Sequence, residues 1–125
     1  MVNIIKRLIV EADVSIHRIS AKMMAVLRSQ LETTVEKRVA RDAWLMHRVR
    51  SIKMKLDHDA FWPDRLFILP GGDVLWIEFK APGGVLSPGQ DGRINWLASV
   101  GHDVEVHDTY DGAMSAIKAR LKICL

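Results

Sequence analysis

Four short stretches of the chain have the apolar content and the period of two that predict β-strands. They are residues 51–56, 66–69, 74–79 and 104–107. The second and third stretches flank the turn sequence Pro-Gly-Gly-Asp, so they predict a β-hairpin. The first stretch precedes this hairpin and adds a further strand to the same predicted sheet.

The strand at residues 74–79 carries charged residues on one face of an otherwise apolar segment. Because side chains alternate along a strand, Glu78 and Lys80 point to the same side. Asp64 lies just before the first strand of the hairpin, where strand pairing brings its carboxylate beside Glu78. Two carboxylates and a lysine at one place form a site for a hard, oxygen-seeking cation and a phosphate group.

Apolar residues at three- and four-residue steps predict helices in most of the remaining chain. An amphipathic helix begins at Ser15, and a second begins near Thr33, where Thr33 and Glu36 fit a capping box. A third helix follows Ser87, and a closing helix follows the last strand. The order helix, three strands, helix, strand, helix, with an additional N-terminal helix, predicts an α/β fold with a central mixed sheet. Residues 3–10 fit a strand or a helix equally well.

The composition is that of one ordinary globular domain of 125 residues, 49% hydrophobic and 26% charged. A single cysteine, Cys124, excludes an internal disulfide and a metal site built from thiolates. No apolar run approaches the roughly 18 to 20 residues that span a bilayer, and the N-terminus lacks the pattern of a signal peptide. We therefore expect a cytoplasmic protein with no membrane partner.

Basic residues are concentrated between residues 37 and 55. Seven lysines and arginines lie there against a single acid. Such a band suits a polyanion such as nucleic acid, although a solvated helix surface would have the same composition. The basic residues are Lys37, Arg38, Arg41, Arg48, Arg50, Lys53 and Lys55.

Three blocks in the second half of the chain carry a more specific pattern. They read Pro-Asp-Arg-Leu at residues 63–66, Ile-Glu-Phe-Lys-Ala-Pro-Gly-Gly at 77–84 and Leu-Ser-Pro-Gly-Gln at 86–90. In this order and spacing they resemble the VRR-NUC (virus-type replication-repair nuclease) family of the PD-(D/E)xK nuclease superfamily. The resemblance implies a restriction-endonuclease-like core at residues 33–125, preceded by an N-terminal extension at residues 1–32, in a single domain. One departure is Phe61, which stands where the family normally has glycine, two residues before Pro63.

The resemblance implies the composition of the active site. Asp64, Glu78 and the main-chain carbonyl of Phe79 would bind Mg²⁺ or Mn²⁺, and Lys80 would position and help activate the attacking water. Gln90 would join this catalytic group with its amide at the rim of the metal site. As the third residue of its predicted helix, Gln90 can also close a capping box, and the two interpretations are compatible.

Several other residues have two interpretations at this stage. Glu36 is either the reciprocal cap of its helix or, as in the resembled family, a further group at the metal site. Lys53 is predicted to contact DNA phosphate, with Lys55 as an alternative on the same strand face, and a solvated edge lysine is the plainer interpretation of both. Arg38 and Arg41 are predicted to bind the DNA backbone. The Asp-His-Asp run at residues 57–59 is predicted to be a solvated loop.

The resemblance also implies the activity. We expect a metal-dependent, structure-specific DNA endonuclease, similar to Holliday-junction resolvases of phage or bacterial replication and repair. A flap or duplex nickase of the same fold, or a non-catalytic DNA-binding module, are the alternatives. We further expect a homodimer that pairs through the apolar stripe of the N-terminal helix, although this stripe would also suit packing on the sheet. The stripe consists of Ile16, Ile19, Met23, Val26 and Leu27.

Overall fold

The computed structural model of the chain describes residues 3–8 and 20–121. Residues 3–8 form the short helix α1, so the described part of the ambiguous N-terminal segment is helical. The later elements follow the predicted order of helix, three strands, helix, strand and helix. They are α2 (Ser20–His47), β1 (Arg50–Lys53), β2 (Arg65–Ile68), β3 (Val74–Phe79), α3 (Pro88–Ser99), β4 (Asp103–His107) and α4 (Tyr110–Ala119).

The four strands form one mixed sheet in the order β1-β2-β3-β4. The β1–β2 and β2–β3 pairs are antiparallel, whereas β3 and β4 are parallel. The parallel pair requires a crossover connection, which α3 provides. This topology confirms the predicted α/β fold with a central mixed sheet.

The main core lies on one face of the sheet. Leu75, Ile77 and Phe79 are buried on this face, as the alternation of β3 predicts. Residues from α2 and α4 complete the same cluster, so these two helices cover this face of the sheet. On the other face of β3, Trp76 contacts Trp62, which in turn contacts α3.

Helix α2 is continuous across residue 33, so the predicted start of a second helix at Thr33 is wrong. The hydroxyl of Thr34 donates a hydrogen bond to the carbonyl oxygen of Gln30 at 2.7 Å, one helical turn back. A threonine that bonds in this way is accommodated inside a helix and does not cap a new one. The capping interpretation of Glu36 therefore fails.

The first turns of α2 do not pack on the sheet. Residues 21–31 are all exposed. The interpretation of the apolar stripe as a cover for the sheet is therefore wrong for its described members, and Ile16 and Ile19 lie outside the described residues. The exposed members are Met23, Val26 and Leu27, together with Met24 and Leu31. In the part of the chain that the structure covers, no helix is long and apolar enough to cross a membrane.

Candidate active site

Asp64 and Glu78 meet at the end of the hairpin, where the carboxylates were expected to converge. Arg65 pairs with Ile77 across the β2–β3 ladder, which places the preceding Asp64 opposite the end of β3. One carboxylate oxygen of Asp64 accepts a hydrogen bond from the main-chain N–H of Phe79 at 2.8 Å. The Asp64 side chain is thus fixed against the residue that follows Glu78.

Lys80 and Gln90 complete a closed set of contacts with Glu78. The Lys80 ammonium lies 3.4 Å from Glu78 Oε1 and donates a hydrogen bond to Gln90 Oε1 at 2.8 Å. The Gln90 amide nitrogen in turn donates to Glu78 Oε1 at 3.0 Å. Each of the three side chains therefore orients the other two.

The position of Gln90 follows from how α3 begins. The main-chain N–H of Gln90 donates to the Ser87 hydroxyl at 3.3 Å, and the Ser87 N–H donates to Gln90 Oε1 at 3.0 Å. This is the predicted capping box, with Pro88 in the first helical turn. Gln90 therefore caps the helix and contacts the charged cluster with the same amide group.

The two carboxyl groups are in an unfavourable environment for negative charge. Burial raises the pKa of Asp64, and the nearby charge of Glu36 adds to this effect. Burial and, after it, the charge of Asp64 raise the pKa of Glu78 to about 7, although Lys80 opposes the shift. Two neighbouring carboxylates that share one ammonium have a deficit of positive charge, which a divalent cation would relieve.

A second charged cluster lies around Glu36, which is buried on α2. Its Oε1 accepts hydrogen bonds from the Lys53 ammonium at 3.0 Å and from Arg65 Nε at 2.9 Å. Arg65 also donates to the Ser51 hydroxyl at 3.1 Å. The charges of Glu36 and Lys53 both reach Asp64, since each of them affects the pKa of its carboxyl group.

The two candidate lysines of β1 differ in their surroundings. Strand β1 ends at Lys53, whose ammonium contacts Glu36, whereas Lys55 is exposed beyond the strand. The main-chain N–H of Met54 bonds to the carbonyl of Asp64 at 2.9 Å, after which the chain leaves the sheet. Strand β1 is thus shorter than the predicted residues 51–56, and of the two lysines Lys53 belongs to the charged group around Asp64.

Arg38 and Arg41 contact a different part of the molecule. Arg41 pairs with Asp42 at 2.8 Å, and the guanidinium of Arg38 lies 3.8 Å from the centre of the Tyr110 ring. The Tyr110 hydroxyl donates to Asp42 at 2.6 Å. The hydrogen bonds from Arg41 and Tyr110 lower the pKa of Asp42. Their contacts thus join α2 to the start of α4 and do not include the carboxylate cluster.

The Asp-His-Asp run is exposed, as predicted. Asp59 binds Arg93 at 2.8 Å and the indole N–H of Trp62 at 2.9 Å. These contacts hold the loop against α3. The Asp59 carboxylate is therefore bonded to donors of the protein itself.

Sequence reasoning missed Glu32, which contacts the main chain beside the site. Glu32 Oε1 accepts a hydrogen bond from the main-chain N–H of Ala81 at 2.9 Å, immediately after Lys80. It lies four residues before Glu36, and this spacing places the two acids on the same side of α2. The spacing was a usable signal for a shared face, but nothing in it indicated a main-chain partner 49 residues away.

The donor set around Asp64 and Glu78 fits an ion that prefers oxygen and keeps several water ligands. Within residues 3–8 and 20–121, no group of three or more His, Cys, Asp or Glu side chains is arranged to hold a metal ion. Two carboxylates with substrate and water completing the shell are a usual arrangement for Mg²⁺, whereas a dedicated protein cage is not. The residues present therefore fit a divalent cation that prefers oxygen ligands.

Phe61 retains a backbone conformation that suits glycine. Its φ is 71°, in the left-handed region, although it carries a large side chain. A large side chain thus stands on a backbone conformation that favours glycine, at the position where the sequence departs from the resembled pattern.

The sheet and its flanking helices have a counterpart among solved structures. Two of them, described as "VRR_NUC domain" and "VRR_NUC domain protein", match with TM-scores of 0.63 and 0.61 at 22% and 23% sequence identity. The matches cover 70% and 71% of this chain, and 95% and 86% of the two structures. The chain therefore has the fold of VRR_NUC domains, which confirms the fold implied by its sequence blocks.

A phage protein is similar in sequence over part of the chain. It is "Putative nuclease p44" of Acyrthosiphon pisum secondary endosymbiont phage 1, 43% identical over 49 residues that make up 39% of this chain. The matched region spans 53% of that phage protein, about half of its length. No family model matches the sequence.

Proposed function

We propose that the chain is a metal-dependent endonuclease that hydrolyses phosphodiester bonds of DNA. The observation that carries this proposal is the closed contact set of Glu78, Lys80 and Gln90, with Asp64 fixed beside it, in the fold of VRR_NUC domains. The similarity to a phage protein described as a nuclease supports it.

The side chains of the cluster would have different roles in the reaction. Asp64, Glu78 and the Phe79 carbonyl would hold Mg²⁺ or Mn²⁺, which when bound supplies positive charge for the phosphate and favours ionisation of a water. Gln90 and Glu78 hold the Lys80 ammonium, so that it orients the attacking water and stabilises negative charge on the phosphate. The water oxygen bonds to phosphorus as the bond between phosphorus and one deoxyribose oxygen breaks, and the proton that the water gives up is balanced by protonation of that leaving oxygen.

Basic side chains near the cluster would hold the DNA backbone. Lys53 has 47% of its side chain exposed while its ammonium contacts Glu36, so it can reach a phosphate without leaving the site. Arg38 and Arg41 are exposed on α2 and would extend the contact. Lys55 is an exposed alternative beyond the strand. Glu36 would act as a further group at the metal site through its effect on Asp64.

We place the preferred substrate among branched DNAs, as in Holliday-junction resolution during phage or bacterial replication and repair. The cleavage test uses labelled four-way junctions, flaps and plain duplexes of equal length, each with Mg²⁺ or with EDTA. Paired cuts in opposite strands of the junction are expected, and only with the metal. Cutting of flaps or duplexes alone would favour a nickase of the same fold, and binding without any cutting would favour a non-catalytic module.

The exposed start of α2 supports a homodimer. Met23, Val26 and Leu27 are 50%, 52% and 47% exposed on turns that the rest of the described chain does not bury. The same stripe of a second copy would cover these three side chains around a two-fold axis. Two active sites related by such an axis would match the two strands of a junction that are cut.

Light scattering tests the dimer directly. The chain is expected to give twice 14.1 kDa at micromolar concentration. Leu27→Glu is expected to give the monomer, because it places a charge in the apolar interface. The matched control is Leu45→Glu, at an exposed apolar position on the other half of the same helix. A native monomer, or equal effects of both substitutions, would contradict the dimer as drawn.

A further inference from the structure

Phe61 combines a strained backbone with an exposed aromatic ring. Its φ of 71° is a conformation that costs a non-glycine residue about 1–3 kcal/mol. The side chain is 52% exposed, so packing in the core offsets only part of this cost. A glycine would adopt the same backbone without strain. The ring itself is therefore the feature that needs a reason.

The ring lies at the rim of the active site. It rests on Gly89, the residue before Gln90, so closely that a Cβ added to Gly89 would come within 2.6 Å of a ring carbon. Phe61 also precedes Asp64 by three residues. The ring thus lies against the start of α3, beside the residue that contacts Glu78 and Lys80.

The loop that carries the ring is held firmly in place. Asp59 binds Arg93 at 2.8 Å and the Trp62 indole N–H at 2.9 Å, and the Arg93 guanidinium lies 4.2 Å from the Trp62 ring centre. Trp62 stacks on Trp76 of β3 with ring centres 5.5 Å apart. An exposed ring on such a fixed support loses little conformational freedom when a planar ligand binds.

We propose that the Phe61 ring is a stacking platform for an unpaired nucleobase next to the phosphate that is cut. Every base offers a flat face to an aromatic ring, whereas bases inside a continuous duplex already stack on each other. The platform would make the site prefer DNA whose stacking is interrupted, as at a branch point or a single-stranded arm. This inference rests on the proposed function and supplies a physical basis for its substrate preference.

Binding in EDTA tests the platform without requiring cleavage. The affinities of the full chain are compared for a forked DNA with two single-stranded arms and for a plain duplex with the same number of phosphates. Phe61→Gly is expected to lower the ratio of fork affinity to duplex affinity about tenfold. Phe61→Trp should retain the preference. The control is Val100→Ala, which removes apolar surface of similar exposure, 53%, away from the loop and should leave the ratio unchanged.

Gly89→Ala provides a second, independent variant. It keeps Phe61 but forces its ring to move, and alanine is well tolerated in a helix. The same loss of fork preference is expected from it. Thermal unfolding of Phe61→Gly should stay within about 5 °C of the native chain, since glycine relieves the strain at residue 61.

The inference would be overturned if the ratio of fork affinity to duplex affinity stays unchanged in both Phe61→Gly and Gly89→Ala. This includes the case in which both affinities fall by the same factor. If Phe61→Gly does not fold, Gly89→Ala decides alone.

Cleavage of the same two DNAs by the native chain in Mg²⁺ separates the proposed nuclease activity from the proposed stacking platform. Absence of all cleavage contradicts the proposed nuclease, while the binding ratio still decides whether the ring is a platform for unpaired bases.

Discussion

The two charged clusters at this end of the sheet have opposite balances of charge. Glu36 is a single buried carboxylate with two cationic partners, Lys53 and Arg65. Beside it, Asp64 and Glu78 are two carboxylates with one close ammonium, that of Lys80. The clusters interact, because the charges of Glu36 and Lys53 affect the pKa of Asp64.

This difference separates a carboxylate whose charge the protein balances from a carboxylate pair whose charge it does not balance. The Glu36 cluster is neutralised by the protein itself and joins α2 to the first two strands. At the other cluster burial and repulsion raise the pKa of Glu78 to about 7, so the protein alone does not stabilise both charges. This deficit of positive charge is the reason for proposing a cation at the Asp64–Glu78 pair.

The largest expected effect is on catalysis. Lys80→Ala removes the only ammonium in close contact with Glu78 among the described residues. Single-turnover cleavage of a labelled junction should fall by about a thousandfold, because the water and the phosphate lose their positioning group. Junction affinity in Ca²⁺ and the circular dichroism spectrum should persist. The control is Lys118→Ala, at an exposed lysine of α4. Cleavage at the native rate in Lys80→Ala would mean that this cluster is not the catalytic site.

The second prediction contrasts the clusters by their effect on stability. Glu36→Gln leaves Arg65, whose side chain is 14% exposed, without its anionic partner. We expect a loss of about 3 kcal/mol in the free energy of unfolding, as for other broken buried pairs. Glu78→Gln should cost less at pH 8, since it removes the repulsion between the two carboxylates and Asp64 remains as an anion near Lys80. Urea unfolding in EDTA measures both variants, and equal losses would contradict the difference in charge balance.

The third prediction concerns pH. The pKa of Glu78 is about 7 in the folded state, above its ordinary 4.5, so the native state binds more protons between these values. The free energy of unfolding therefore falls as pH rises through this window, by about 2 kcal/mol between pH 5 and pH 8. The raised pKa of Asp64 acts in the same direction. Thermal unfolding in EDTA should show the slope, which Glu78→Gln flattens. If the stability of the native chain changes with pH as little as that of Glu78→Gln, the raised pKa of Glu78 is contradicted.

The smallest effect is expected for DNA contacts. Lys53→Gln should reduce the slope of log affinity against log salt by about one unit, and binding to all sequences should weaken equally. Lys118→Gln, at an exposed lysine of α4, is the control. If the combined substitution of Lys53, Arg38 and Arg41 leaves the slope unchanged, the basic band is only a solvated surface.

Local signals in the sequence were sufficient for the strands and for part of the site. The period of two in β3 placed Glu78 and Lys80 on the face opposite the core, and the capping residues Ser87 and Gln90 located the start of α3. These features depend on neighbours within a few residues, so a linear pattern contains them.

Other features depend on contacts that a linear pattern does not contain. Thr33 looked like a cap, yet α2 runs on through it, and the Thr34 hydroxyl bonds one turn back to Gln30. The contacts of Glu32 with Ala81 and of Glu36 with Arg65 join residues 49 and 29 positions apart. Such pairings are decided by how α2 lies on the sheet, which follows from the whole packed core.

Metal uptake tests the central claim most directly, namely that the Asp64–Glu78 pair holds the catalytic cation. Calorimetric titration with Mn²⁺ is applied to the native chain, Glu78→Gln and Glu36→Gln at pH 8 without DNA. We expect the native chain to bind Mn²⁺, Glu78→Gln to lose at least about tenfold in affinity, and Glu36→Gln to lose less. No uptake by the native chain, or equal uptake by Glu78→Gln, would contradict the account.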